Sequence, residues 1–188
     1  TGVQTCALPI WLYPMDGKVY ALVQRLSRFN GLLPSDYSQI LVIDAQNDTV
    51  IDAVTLAQTN PLGKLRYNAA LERLVIIESG SCTEVLEGDS IDGAIEFFNP
   101  SDNTLSGPVI TGEALGGEPV DAVVVSWTKG YAIVGVGQGT SANTHLVGFN
   151  PSTGTVLGTL VAAGSWDFNF IELSPDHEEL WLAQRTLS

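Results

Sequence analysis

Basic side chains are scarce: 8 Lys plus Arg stand against 21 Asp plus Glu, a formal charge of −13 over 188 residues. Phosphate contacts need a positive field, so nucleic acid is not expected as a partner. Histidine is nearly missing, and neither His145 nor His177 has a second ligand-type residue at metal spacing. No run approaches the ~18 uninterrupted apolar residues of a membrane span. Gly-x-Ser-x-Gly and His-Glu-x-x-His are both absent, which removes the usual hydrolase and zinc-protease signatures. Gly135-Val136-Gly137-Gln138-Gly139 follows a strand pattern but leads into another strand, with no helix to hold a phosphate. No catalytic residue and no cofactor is therefore assigned.

What is present is a folded, β-rich composition. Hydrophobic residues make up 45% and charged residues 15%, and 19 Gly with 9 Pro supply turns. One hairpin signature occurs three times. Val42-Ile43-Asp44-Ala45-Gln46-Asn47-Asp48-Thr49-Val50 is echoed by Phe97-Phe98-Asn99-Pro100-Ser101-Asp102-Asn103-Thr104-Leu105 and by Gly148-Phe149-Asn150-Pro151-Ser152-Thr153-Gly154-Thr155-Val156, with the threonines 55 and 51 residues apart. Each copy is an apolar strand, a polar tip and a β-branched or aliphatic strand. Two further strand sets keep the same period, giving four strands per unit. Runs such as Ile40-Leu41-Val42-Ile43 and Val123-Val124-Val125 read as strands buried on both faces. Residues 68–74, which have some helical character, read as a turn. Four strands repeating at this spacing predict an all-β fold, a β-propeller of four-stranded antiparallel blades, with three to three and a half blades present. The blade units are expected near 17–67, 71–126 and 130–173, with a further one starting at 179–188.

Leu173-Ser174-Pro175-Asp176-His177-Glu178-Glu179-Leu180-Trp181-Leu182-Ala183 resembles the Ser-Pro-Asp-Gly turn and following strand of bacterial YVTN-type (YncE-like) propeller repeats. Asn150-Pro151-Ser152-Thr153-Gly154-Thr155-Val156 resembles their Asp-Pro-Ala-Thr-Gly hairpin tip. His177 stands where those repeats carry glycine, and the Tyr-Val-Thr-Asn tetrapeptide is absent. The resemblance implies a non-enzymatic binding or interaction module placed in the periplasm, secreted, or anchored as a lipoprotein. A propeller enzyme, lactonase-like or quinoprotein-like with its site in further blades, is the alternative. A second resemblance concerns residues 1–10, Thr1-Gly2-Val3-Gln4-Thr5-Cys6-Ala7-Leu8-Pro9-Ile10, which match the translation of a sequencing-library adapter. The expectation is that native sequence begins near Trp11, that the chain is a fragment, and that residues 1–10 add no blade strand. Cys6 then leaves Cys82 unpaired, so no disulfide is expected.

Long loops on one end of a rigid scaffold are where binding concentrates. With the strands lettered A to D outward, the B-to-C connections are 26–37, 80–92 and 138–143, and D-to-A connections include 59–63 and 112–118. Strand alternation puts both kinds on one end. There Arg25, Arg28, Tyr37 and Asn60 are candidate contacts for a protein or small-molecule ligand with anionic or polar groups. Glu84, Glu87, Asp89 and Asp92 form an acidic loop cluster; Glu87, Asp89 and Asp92 are a weak Ca²⁺ candidate, since the distal Glu of an EF-hand is missing.

Overall fold

Short polar tips between apolar runs fold the chain into consecutive antiparallel hairpins. The computed structural model describes residues 5–27, 37–80, 91–137, 143–165 and 167–184. Strands β1 (Thr5–Met15), β2 (Lys18–Ser27), β3 (Gln39–Asp44) and β4 (Thr49–Thr55) form the first sheet, in that spatial order. β5 (Arg66–Asn68), β6 (Arg73–Glu78), β7 (Ala94–Asn99) and β8 (Thr104–Thr111) form the second. The third contains β9 (Glu118–Ser126), β10 (Lys129–Val136), β11 (Asn143–Asn150) and β12 (Thr155–Ser165). A two-stranded sheet of β13 (Phe168–Leu173) and β14 (Leu180–Gln184) ends the series. The protein is all-β and built as propeller blades: three of four strands, then one of two.

The three echoed tips share one backbone device. The residue before each aligned threonine is left-handed: Asp48 at φ 53°, Asn103 at 57° and Gly154 at 65°. Asp, Asn and Gly are the residues that tolerate this conformation best, which is why the tip sequence varies only among them. His177 also stands at a positive φ, 62°. A side chain held in that left-handed conformation costs about 1 kcal/mol. Residues 69–72 form the turn between β5 and β6, with Glu72 left-handed at φ 53°.

Blades adhere through their faces. Tyr20, Leu22, Ile40 and Val42 of the first sheet pack on Leu74, Ile76 and Phe98 of the second, with Tyr20 edge-on to Phe98 at 5.7 Å between centroids. Val75, Ile77, Ile95 and Phe97 on the other face of the second sheet meet Ala132, Val134, Val147 and Phe149 of the third. Val123, Ile133 and Leu146 then meet Phe168 and Ile171. The middle sheet is covered on both sides, so β6 and β7 are almost wholly buried. Each large side chain buried there contributes roughly 1.5–3 kcal/mol.

Two expectations need correction. The sheets span 5–55, 66–111, 118–165 and 168–184, so each blade begins one strand earlier than the units drawn from the repeat. A periodic pattern has no phase of its own; the tight A-to-B turns at 16–17, 69–72 and 127–128 set it by pairing each A strand with the strand that follows. Residues 5–10 do join a strand: Thr5 to Pro9 pair with Ser27 to Val23, with a bulge between Pro9 and Trp11. This apolar, uncharged segment runs straight into Trp11, and the edge of β2 accepts any extended backbone. Pro9 is tolerated because β1 is itself an edge strand. The expected D-to-A connection 112–118 is also found, and it contains one helical turn, α1 (Gly112–Leu115), capped by the Thr111 hydroxyl accepting from Ala114 N.

Candidate ligand-binding site

The D-to-A and B-to-C connections emerge at one end, as strand reversal requires. Asn60 O accepts from Ser79 N at 2.9 Å and Thr59 O from Gly80 N at 3.1 Å, which ties the first D-to-A connection to the second sheet's B-to-C connection. The hairpin tips lie at the other end, where Asn103 reaches Asp52 and Ser152 reaches Trp127 O.

Arg25 and Tyr37 come together at the long-loop end. The guanidinium lies 4.4 Å from the Tyr37 ring centroid, and Nη2 donates to Gln39 Oε1 at 2.8 Å. Asn60 is a different case. It is buried and left-handed (φ 59°), with Oδ1 accepting from Gln24 Nε2 and its N–H donating to Ser38 Oγ at 3.2 Å. Its polar groups are spent on holding two blades together. Arg28, Glu84, Glu87 and Asp89 lie outside the described residues. Asp92 N and Gly93 N donate to the two carboxylate oxygens of Glu118 at 2.9 and 2.8 Å. Burial pushes Glu118 up to about 7 against those two bonds. Among the described residues no group of three or more His, Cys, Asp or Glu is placed to hold a metal ion.

The inner strands carry what the sequence reading missed. Arg66 of β5 grips Asp121 of β9 through both fork nitrogens, Nη1 to Oδ1 at 2.6 Å and Nη2 to Oδ2 at 2.9 Å. Nη2 also donates to Ile171 O of β13 at 2.7 Å, and Asp121 Oδ2 accepts from Ile171 N at 3.1 Å. One arginine thus joins the first strands of three consecutive blades. Burial opposes its charge, but the hydrogen bonds and charges of Asp121 and Glu172 hold its pKa above the ordinary arginine value. Glu172 is drawn up by partial burial and pulled down more strongly by Lys64, 2.7 Å away, and by Arg66.

Beside this knot is a cavity of about 450 Å³ whose walls come from three sheets and one connection: Trp11 of β1, residues 62–64 between β4 and β5, Val120 and Asp121 of β9, Asn169 and Phe170 of β13, and Ala183 and Gln184 of β14. Apart from Trp11, in the middle of β1, these positions lie at or just ahead of A-strand starts and at a B-strand end, which is the long-loop end. The Trp11 indole is fixed by Nε1 donating to Leu62 O at 2.9 Å, and Phe170 is 56% exposed. Aromatic walls stand beside an ammonium and two side-chain amides.

A second polar group sits between the first and second sheets. Glu78 and Glu96 are diagonal neighbours on one face of β6 and β7, both 0% exposed. Glu78 Oε1 accepts from Gln58 N at 2.8 Å and Glu96 Oε1 from Ala57 N at 3.2 Å. Their Oε2 atoms have no donor. Burial pushes both carboxyls above the ordinary carboxylate range, and the charge of Glu96 pushes Glu78 up further. A glutamate inside each of the apolar runs Leu74 to Glu78 and Ala94 to Phe98 was the signal available in the sequence.

No protein-family model and no curated protein matches the sequence. Among solved structures, a chain of Kuenenia stuttgartiensis hydrazine synthase, a β-propeller-containing protein, is similar at a TM-score of 0.51 and 10% identity. The match covers 92% of this chain and 54% of that one, so this chain spans about half the length of its neighbour. At such identity the likeness shows the fold alone. Fold and site together define a β-propeller-type protein with a cavity among its inner strands.

Proposed function

We propose that the chain is a non-enzymatic binding module of YVTN-type (YncE-like) character, acting outside the cytoplasm and not on nucleic acid, that holds a small saccharide-like ligand in the inner-strand cavity. The observation that carries this is the convergence of three sheets and the 62–64 connection on one cavity with two aromatic side chains, Trp11 and Phe170, and polar Lys64, Asn169 and Gln184. Aromatic faces suit the C–H face of a sugar, and amides serve both hydroxyl donors and acceptors. The neighbouring charges favour binding over catalysis, since Arg66, Asp121 and Glu172 are engaged with one another.

Titration calorimetry with a panel of mono- and disaccharides tests the reading. At least one sugar is expected to bind, with Trp11→Ala and Gln184→Ala each weakening it tenfold or more. Binding that survives both substitutions in folded protein would place the site elsewhere.

A further inference from the structure

We propose that Glu78 and Glu96 act as a proton-operated latch on the 57–64 segment, so that the cavity wall is held closed when they share a proton and released when it leaves; the functional consequence rests on the cavity reading above. The two carboxyls grip consecutive backbone N–H groups, Ala57 and Gln58. Two residues on, Asn60 is pinned to Gln24, Ser38 and Ser79. Two residues further, Leu62, Gly63 and Lys64 line the cavity, and Leu62 O anchors the Trp11 ring. Gly63 packs so closely on Ile77 that an added Cβ would lie 2.6 Å from the Ile77 Cβ. Ile77 directly precedes Glu78. The same short segment is therefore held by the carboxyl pair at one end and forms the wall at the other.

Among the described residues, no basic side chain forms an ion pair with Glu78 or Glu96. The 56–60 segment offers Leu56, Ala57, Gln58, Thr59 and Asn60, none of which ionises. The first sheet presents Gln24 and Ser38, while Arg25 is turned to Gln39 and Tyr37. Glu118 and Asp92 lie beyond Ser79, which bonds to Pro119 O on the opposite face of β6. When the shared proton is lost to solvent, two anions remain in a buried site. Separation requires one to give up its N–H and let the segment move.

Hydrogen exchange by mass spectrometry on the intact chain, at pH 6 and pH 9 with intrinsic rates divided out, tests the latch without any ligand. Protection of residues 56–65 is expected to fall at least tenfold at pH 9 in the parent and to stay level in Glu78→Gln and Glu96→Gln, while β10 and β11 keep theirs. Unchanged protection in the parent would overturn the proposal, with no variant needed. An equal loss in parent and in either folded variant would overturn it too. Failure of the latch leaves the sugar site standing. PH-dependent protection without saccharide binding would instead refute the cavity reading alone.

Discussion

Replacing Arg66 with methionine is expected to lower stability by about 3–5 kcal/mol, the cost of leaving a buried carboxylate without its partner. The side chains of Arg66 and Asp121 are 12% and 2% exposed, so solvent offers Asp121 little compensation. The loss also frees Ile171 O and removes the tie among β5, β9 and β13. For a chain of this size the change corresponds to a fall in Tm of roughly 10 °C. Arg66→Lys keeps the charge but not the fork, and should recover only part. The double variant Arg66→Met with Asp121→Leu should be more stable than Arg66→Met alone, because no charge is left buried. Lys64→Ala, at a half-exposed ion pair, should cost under about 1 kcal/mol. Urea unfolding of the four variants checks the series, and Arg66→Met within 1 kcal/mol of the parent would refute the assignment.

Alkaline conditions should destabilise the protein through Glu78 and Glu96. Burial pushes Glu96 up to about 7, and burial with the charge of Glu96 pushes Glu78 up to about 9, from 4.5. The folded state therefore binds more protons than the unfolded chain once pH exceeds the unfolded value, and stability falls as pH rises through the folded ones. From Glu96 alone the loss is on the order of 3 kcal/mol, at 1.36 kcal/mol per pH unit. Glu118 adds to the slope in the same direction near pH 7. Glu78→Gln with Glu96→Gln should flatten most of the profile, leaving the variant close to the parent at pH 5 and well above it at pH 9. Chemical unfolding across that range measures it, and parallel profiles for parent and variant would contradict the account.

Fold and site differ in how far the sequence discloses them. The hairpin tips were legible because left-handed positions at 48, 103 and 154 admit few residues, and the period follows from them. The lettering of strands within a blade was also legible, since the B-to-C and D-to-A connections fall where it put them, whereas the unit boundaries were drawn one strand late because a repeat does not mark where a sheet begins. The long-loop end was legible from strand alternation, and Arg25 with Tyr37 meets there. Asn60 illustrates the limit. A polar residue in a long connection reads as a ligand contact, yet Asn60 is buried, with its Oδ1 accepting from Gln24 and its backbone carbonyl from Ser79 of the next blade. The cavity wall was illegible for a related reason: Trp11, Lys64 and the Phe170–Gln184 hairpin lie far apart in the chain and meet only when the blades assemble.

Chemical-shift mapping of backbone amides during a saccharide titration tests the central claim most directly, because it locates the ligand without a substitution. The account predicts that the largest shifts fall on Trp11, residues 62–64, Val120, Asn169, Phe170 and Gln184, on three sheets and the connection ahead of β5. Largest shifts at the tips 45–48, 100–103 and 151–154, at the opposite end, would contradict it.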